Sequence, residues 1–235
     1  MHTPEIGSTV RDPIPRRALG GILVRKKCWV LSPGGKFLFI FCLAILTVSV
    51  LHGLHPFLAV THRVASKILV VDGWMPTYLV EQVSAEFKSG NYEMILIARG
   101  LQSGTNPYES GEFTANYIVE QLAKLGISKN CIRVIFFEVS IKDRTYHAAL
   151  AVKKYLVEQQ NEAKALNLAT LSAHARRSRI LYEKAFFDEE MEIGVIALED
   201  EAYDPAHWWR SSAGVREVPF EFLACIYAKF FYSPN

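Results

Sequence analysis

Hydrophobic residues are distributed unevenly along this chain. Residues 37–60, FLFIFCLAILTVSVLHGLHPFLAV, contain no charged side chain. Beyond Ser66, short runs rich in Val, Ile and Leu alternate with stretches that place apolar residues three or four positions apart. The first pattern predicts a membrane-spanning helix, and the second predicts β-strands separated by amphipathic helices.

Five apolar runs are predicted to form strands, over residues 67–74, 94–98, 131–137, 166–171 and Glu192–Leu198. Helices are predicted over residues 77–88, 112–125, 145–159, 173–187 and 218–231, and Gly126 closes the second of them. Continuous apolar strands separated by helices are typical of a parallel sheet that is covered on both faces. Right-handed crossovers then favour an α/β fold, a doubly wound five-stranded parallel sheet in a three-layer α/β/α sandwich. The usual doubly wound topology favours the strand order 3-2-1-4-5.

The uncharged segment is long enough to cross a bilayer. As a helix, its 24 residues would span about 36 Å, and a hydrocarbon core is roughly 30 Å thick. His52, His55 and Pro56 are expected near its outer end, at the membrane interface. Two other interpretations stay open: a cleaved signal peptide, which the long preceding tail and the lack of an A-x-A site disfavour, and a buried core helix.

The charges around this segment predict its orientation. Four basic residues precede it closely and two follow it, namely Arg25, Lys26, Lys27 and Lys36, then Arg63 and Lys67. The positive-inside rule therefore predicts a single-pass protein of the inner (plasma) membrane, with a cytoplasmic N-terminus and an extracytoplasmic domain. The predicted organisation is a basic cytoplasmic tail (1–36), a transmembrane anchor (37–60) and an α/β domain (67–235).

The charge balance and the cysteines narrow the class of protein. The tail to Lys36 has seven Lys and Arg against two acids, whereas the chain from Thr61 onward has 19 against 22. A slightly acidic domain is a poor nucleic-acid binder, so the expected partner is the lipid bilayer and no nucleic acid. Cys131 and Cys225 either pair in an oxidising compartment or stay as two buried free thiols, and the chain has no zinc-type spacing.

Polar residues follow the carboxyl ends of the predicted strands, where open parallel sheets bind ligands. In chain order these residues are Asp72 and Gly73, Arg99 and Gly100, Glu138, Ser140, Thr145 and His147, then Ser172, His174, Arg176 and Arg177. The chain has no P-loop, GxGxxG, GxSxG or HExxH pattern, so the cofactor is unknown and no metal ligand is predicted.

Each of these residues also has a structural interpretation. Asp72, Ser140 and Ser172 are residue types that cap helices. Arg99 ends an apolar strand and needs either an anion or a structural carboxylate, such as Glu138. These alternatives stay open at the level of sequence.

The basic and aromatic residues are similarly ambiguous. His174, in the first turn of a predicted helix, is of a kind often found on the surface, whereas an arginine there opposes the helix dipole unless it has a partner or an anionic ligand. Trp208 and Trp209 suit packing or a membrane interface better than a ligand platform.

The order of these motifs resembles the SanA/YdcF/ElyC family of bacterial envelope-associated proteins, over about residues 67–231. The resemblance rests on Glu138-Val-Ser140 leading to Thr145, on His174-Ala-Arg-Arg177, and on the Trp-Trp pair followed by Arg216 and Glu221. It implies cell-envelope or peptidoglycan-related work, without fixing a reaction.

The chain departs from the family pattern in the expected pocket. Arg99 and Gly100 follow Ala98 where the family has Ser-Gly-Gly, and His147 approximately replaces the Asn of its Thr-x-x-Asn motif. Trp74-Met75-Pro76 replaces a glycine-rich first loop. These changes predict an altered ligand or a loss of activity.

The predicted function is the binding or processing of an anionic, phosphorylated cell-envelope precursor. Asp72, Glu138 and His174 are the candidate catalytic residues; the candidate ligand-binding residues are Gly73, Arg99, Gly100, Ser140, Thr145, His147, Ser172 and Arg177. Two alternatives are a non-catalytic membrane-anchored binding or scaffold module and, if the domain is cytoplasmic, a nucleotide or S-adenosylmethionine binder.

Overall fold

The computed structural model describes residues 17–25, 29–74, 76–101, 111–138 and 143–233. The chain divides into two compact units, Met1–Val50 and Leu51–Asn235. The first unit contains a small antiparallel sheet of β1 (Arg17–Ala18), β2 (Leu23–Arg25) and β3 (Trp29–Leu31). Strands of two or three residues have too few positions to show a period, so the sequence predicted only a basic tail here.

The helix α1 (Pro33–Leu58, 26 residues) follows this sheet and contains most of the uncharged segment. Ser32 caps its start, where the Ser32 hydroxyl accepts a hydrogen bond of 3.1 Å from the Gly35 N–H. Every residue from Lys36 to Val50 is exposed, so a buried core helix is wrong for this stretch. Within the described chain, α1 is the one helix long and apolar enough to cross a membrane.

The second unit is an α/β domain built on a five-stranded parallel sheet. The strands are β4 (Ile68–Asp72), β5 (Met94–Leu101), β6 (Ile132–Glu138), β7 (Ala165–Leu171) and β8 (Glu192–Leu198). Their spatial order is β6-β5-β4-β7-β8, which confirms the predicted order 3-2-1-4-5. The predicted ends of several strands are off by one to a few residues, since strand ends depend on pairing rather than composition.

Helices cover both faces of this sheet and form the predicted sandwich. They are α2 (Val80–Ser89), α3 (Gly111–Lys124), α4 (Arg144–Glu158) and α5 (Ala175–Ala185), and the last helix, α6 (Ser212–Phe230), packs on α5. The α4 and α5 helices pack with Val70 and Leu168 on one face, whereas α2 and α3 pack with Val71 and Ile97 on the other. Gly126 follows α3 with a φ of 86°, the conformation that favours glycine after a helix.

The last two turns of α1 belong to the core of this domain. Leu58 is fully buried, in a cluster with Trp208 and Val218. The Trp208 indole N–H donates a 2.8 Å hydrogen bond to the Leu51 carbonyl. His55 is only 7% exposed, so its predicted place at the membrane interface is wrong.

Candidate functional site

A cavity of about 330 Å³ opens at the carboxyl ends of β4 and β7, where the sheet topology predicts a ligand site. Two larger cavities, of about 690 and 670 Å³, lie elsewhere; the first is at the amino ends of the same strands. We take the smaller cavity as the candidate site because titratable side chains converge on it. Its lining residues are Asp72, Trp74, Asp143, Arg144, Thr145, His174, Arg177, Leu181, Phe220, Ala224, Tyr227, Ala228 and Tyr232.

The centre of the site is a triad of His174, Glu221 and Arg177. His174 lies in the turn before α5, and Arg177 follows one turn later on α5. Glu221 reaches them from α6: its Oε1 lies 3.0 Å from His174 Nδ1, and its Oε2 accepts a 2.8 Å hydrogen bond from Arg177 Nε. Two helices therefore hold the imidazole in one orientation.

The geometry indicates which ring nitrogen of His174 carries hydrogen. Both His174 Nδ1 and Arg177 Nη2 lie 3.0 Å from the same Glu221 oxygen, and they are 2.8 Å from each other. We take the tautomer with hydrogen on Nδ1, because a bare Nδ1 would direct its lone pair at the ionised Glu221 oxygen 3.0 Å away. The 2.8 Å contact between Nδ1 and Arg177 Nη2 is then one between two donors, which the shared carboxylate oxygen offsets. The Nε2 atom of the neutral ring is then an acceptor.

Asp72 and Thr145 lie on the other side of the ring. His174 Nε2 is 3.8 Å from Asp72 Oδ2 and 3.5 Å from the Thr145 hydroxyl. Asp72 itself accepts hydrogen bonds from the Trp74 N–H at 3.2 Å and from the Thr170 hydroxyl at 3.4 Å. A protonated His174 therefore has a carboxylate on each side, and a neutral His174 offers Nε2 to a proton donor.

The ionisation of Glu221 follows from these contacts. Burial alone would raise the pKa of its carboxyl group, but hydrogen bonds from His174 and Arg177 and their charges outweigh that effect and lower the pKa to about 2. Glu217, one turn earlier on α6, differs. Burial raises its pKa, and Asp200 and Glu221 add to the effect. Glu221 is thus the ionised partner of His174 over the physiological range.

Trp74 forms one wall of the cavity between two arginines. The guanidinium carbons of Arg99 and Arg144 lie 4.7 and 4.8 Å from the centroid of its ring, which is cation–π geometry. Arg99 also donates to the Gly73 carbonyl, and burial lowers the pKa of its guanidinium while Asp72 partly opposes that shift. Within the described part of the chain, the buried Nε atom of Arg99 and the Trp74 indole N–H have no hydrogen-bond partner.

The cavity brings together four of the predicted site residues, which are Asp72, Thr145, His174 and Arg177. Gly73 adjoins them, and its N–H donates a 2.9 Å hydrogen bond to the Ala98 carbonyl. A Cβ at Gly73 would lie 2.3 Å from that oxygen, so this position requires glycine. Gly73 therefore positions the start of the Trp74 wall.

The sheet pleat separates Arg99 and Glu138 from His174. Side chains alternate between the two faces of a sheet, so residues two apart on a strand share a face. On β5, Ile95 and Ile97 face α2 and α3, and Arg99 is next in that series. On β6, Val134 faces the same side, and Phe136 and Glu138 continue its series. Asp72 follows Ile68 and Val70 on the α4–α5 side. Glu138 is exposed at the end of the edge strand β6, and among the described residues it makes no ion pair with Arg99.

The other predicted ligand residues lie outside the cavity or outside the described residues. Gly100 is buried within β5, and His147 packs edge-on against Tyr146 on α4. Ser172 is buried behind the site, where its hydroxyl lies 3.0 Å from His55 Nε2. Ser140 lies outside the residues that the structure describes.

The candidate site residues predicted from the sequence did not include Glu221, Arg144 or Trp74, although Trp74 was placed in the expected pocket and Glu221 was among the residues that carry the family resemblance. Glu221 had a detectable signal, since it is a lone carboxylate in the apolar run Phe220–Ala224, where an unpaired charge is costly. Arg144 stands in no distinctive sequence motif, so only the tertiary structure places it at the cavity.

The site combines the oriented imidazole of His174, the carboxylates of Glu221 and Asp72, and two arginines of the cavity lining, Arg144 and Arg177. Such a set can transfer a proton and bind an anionic group. Among the described residues, no three His, Cys, Asp or Glu side chains are arranged to hold a metal ion. Cys131 and Cys225 are both free thiols, Cys225 buried and Cys131 partly exposed.

Comparison of the chain with protein-family models, with curated proteins and with solved structures finds no match.

Proposed function

We propose that this protein is anchored in the inner membrane by α1, and that its extracytoplasmic domain binds and processes an anionic, phosphorylated precursor of the cell envelope. The observation that carries the proposal is the orientation of His174: Glu221 holds Nδ1 at 3.0 Å, and Nε2 lies beside Asp72 and Thr145 at the cavity. The sequence resemblance to the SanA/YdcF/ElyC family supports the envelope setting.

The anion is expected to bind between Arg144 and His174. Glu221 offsets the charge of Arg177 through two hydrogen bonds, so Arg177 mainly positions the triad. Arg144 lines the cavity at the start of α4, where the helix dipole and the first-turn N–H groups also favour an anion. Arg144 therefore supplies the positive charge that binds a phosphoryl group, and His174 adds to it once the ring has taken up a proton.

His174 is expected to act as a general acid or base. With Nδ1–H donated to Glu221, the neutral ring accepts a proton from a hydroxyl or water at Nε2. The protonated ring, which is paired with Asp72 and Glu221, then gives that proton to a leaving oxygen. Positioned acid–base groups of this kind contribute about 10²–10⁴-fold to a rate.

The test uses the full-length protein in detergent micelles, with inorganic phosphate and p-nitrophenyl phosphate as probes. We expect inorganic phosphate to raise the melting temperature of the wild type, and this rise to shrink in Arg144→Gln and in His174→Asn. The matched control is Arg133→Gln, because Arg133 is an exposed arginine on β6 whose guanidinium donates to the Asn130 carbonyl, away from the cavity.

Turnover of the phosphomonoester distinguishes an enzyme from a binding module. His174→Asn is expected to lower hydrolysis at least about 100-fold while the protein stays folded. Binding of phosphate without hydrolysis would favour the non-catalytic module. If neither probe changes the melting temperature of the wild type, the proposed anion site is wrong.

A further inference from the structure

A second cavity, of about 670 Å³, lies between α5 and the end of α6 and is rich in basic residues. We call it the basic groove. It is lined among others by Val60, Arg176, Arg179, Lys184, Phe187 and Lys229, and the one acid among its lining residues is Glu183. This excess of positive charge contrasts with the chain from Thr61 onward, which has more acids than bases.

The basic side chains of the groove are mostly not neutralised by acids. Arg179 pairs with Glu183 at 2.8 Å. Lys184 donates a 2.6 Å hydrogen bond to the Tyr232 carbonyl, and Lys229 lies 5.5 Å from the Phe230 ring centroid. Among the described residues, an acidic partner is thus seen for Arg179 alone of the four cations, and the remaining charge suits an anionic surface.

The groove lies where the chain leaves α1. Val60, two residues beyond the end of α1 at Leu58, forms part of its wall. Arg176 donates to the Phe57 carbonyl and lies 4.1 Å from the Phe57 ring centroid, so it caps the carboxyl end of that helix. The uninterrupted exposed part of α1 ends at Val50, and Phe57 lies two turns, or about 10 Å, farther along the helix. If α1 crosses a bilayer, the groove is therefore close to the headgroup layer.

Exposed aromatic residues flank the groove. Phe187 is 85% exposed, and Phe230 and Phe231 are 69% and 73% exposed. Large apolar side chains beside basic residues are typical of surfaces that rest on a membrane interface, where rings enter the headgroup region and cations meet phosphates.

We propose that the basic groove docks on the anionic phospholipid headgroups of the membrane in which α1 is anchored. This inference rests on the proposed anchoring but does not depend on the chemistry at His174. Tyr232 lines both the groove and the candidate site. Docking would therefore hold α5 and the end of α6 against the bilayer and set the orientation of the candidate site relative to its surface.

The test measures the reactivity of lysines in the full chain reconstituted into lipid nanodiscs. The discs contain phosphatidylcholine alone or phosphatidylcholine with phosphatidylglycerol, and an amine-acylating reagent is followed by mass spectrometry. We expect Lys229 to react more slowly in the anionic discs, and high salt to remove this protection because it screens headgroup charge. Lys154, which is exposed on α4 with 76% of its side chain accessible, is the internal control and should not change.

A charge variant links the protection to the groove. Each basic residue near an anionic membrane surface is worth about 1 kcal/mol, so removing one is expected to lower the ratio of docked to undocked protein about fivefold. The variant is Lys184→Gln, which removes a cation without an acidic partner among the described residues and keeps a donor for the Tyr232 carbonyl. Lys154→Gln removes a comparable charge from α4 and should leave Lys229 protected. Free inorganic phosphate, added to the neutral discs, is expected to protect Lys229 much less than the anionic lipid does.

The outcomes separate docking from anchoring. Equal reactivity of Lys229 in both kinds of disc, or protection that Lys184→Gln leaves unchanged, would overturn the docking proposal and leave the anchor intact. Protection by free phosphate equal to that by lipid would also overturn it, since the groove would then be a soluble-anion site. A chain that does not enter nanodiscs at all would instead refute the anchoring.

Discussion

His174 is held by two carboxylates that differ in their surroundings. Glu221 is nearly buried and accepts hydrogen bonds from both His174 and Arg177, whereas Asp72 stands 3.8 Å from the other ring nitrogen. The close carboxylate orients the ring, whereas the more distant one makes no hydrogen bond to Nε2, so both Asp72 Oδ2 and Nε2 are available to one ligand atom lying beside them. This difference assigns an orienting role to Glu221 and leaves Asp72 free to contact a ligand.

The low pKa of Glu221 makes stability depend on pH. The folded protein lowers this pKa from 4.5 to about 2, so the folded state binds a proton less readily than the unfolded chain. Glu221 therefore stabilises the fold fully above a pH of about 4.5, and this contribution is lost as the pH falls toward about 2. A shift of this size corresponds to about 3 kcal/mol.

We predict that Glu221→Gln lowers the free energy of unfolding by about 3 kcal/mol at neutral pH, since it leaves Arg177 without its ionic partner. The variant should also lose less stability than the wild type on acidification. Urea unfolding of both proteins at several pH values measures this. Glu217→Gln is the matched control on the same helix, and it should cost little because burial already raises the pKa of Glu217.

An identical acid-induced loss in wild type and Glu221→Gln would show that Glu221 is not the titrating group. The sequence identified His174 and Arg177 as site residues but not this carboxylate. The reason is that Glu221 lies 44 residues from Arg177, and nothing local in α6 shows which helix it faces.

The helix α1 has two environments along its length. Its residues from Lys36 to Val50 are exposed, whereas Leu58 is fully buried against Trp208 and Val218 in the domain. The sequence pattern does not separate these parts, because lipid and a protein core both select uncharged, apolar side chains. The predicted span of residues 37–60 therefore includes residues that pack in the domain.

We predict that Leu58→Ala lowers the free energy of unfolding by about 2–5 kcal/mol, because it opens a cavity in a packed cluster. Leu46→Ala is the control: it makes the same change in the same helix, at a residue that is 59% exposed, and should have little effect. Urea unfolding in detergent micelles, followed by tryptophan fluorescence, reports on both because Trp208 lies in the cluster. Equal losses from the two substitutions would contradict this division of α1.

Charge is distributed asymmetrically over the whole molecule. The tail to Lys36 has five more basic than acidic residues, and the chain from Thr61 onward has three more acidic than basic residues. Basic residues before an apolar span favour a cytoplasmic N-terminus. The orientation remains a prediction, and it decides whether the candidate site faces the envelope.

We predict that alkaline phosphatase fused after Asn235 is active in cells, because it folds only after export, and that a fluorescent protein that folds in the cytoplasm is dark at the same position. The same reporters fused before Met1 are the controls and should behave in the opposite way. A bright fluorescent fusion after Asn235 would reverse the orientation and favour the nucleotide or S-adenosylmethionine alternative. A mature chain lacking residues 1–60 would establish a cleaved signal peptide.

The sequence by itself determined the α/β sandwich and the apolar helix. Buried parallel strands need continuous Val, Ile and Leu runs, and right-handed crossovers restrict how those runs assemble. The strand order was predicted from the usual doubly wound topology and from the family resemblance. The small sheet β1–β3 could not be, because its strands are too short to show a period. A sequence pattern predicts a helix or a strand when buried positions recur at a regular spacing over several residues.

Only the tertiary structure decided which polar residues meet. Alternation within a strand shows that Asp72 and Val70 lie on the same face of the sheet. Whether Arg99 shares that face depends on the register between β4 and β5, which pairs Asp72 with Ala98 and so places Arg99 on the other face. That register places Arg99 and Glu138 on the opposite face from His174, and the packing of α6 on α5 brings Glu221 to it. A site built from separate elements depends on how those elements are paired and packed, and the sequence of no single element contains that information.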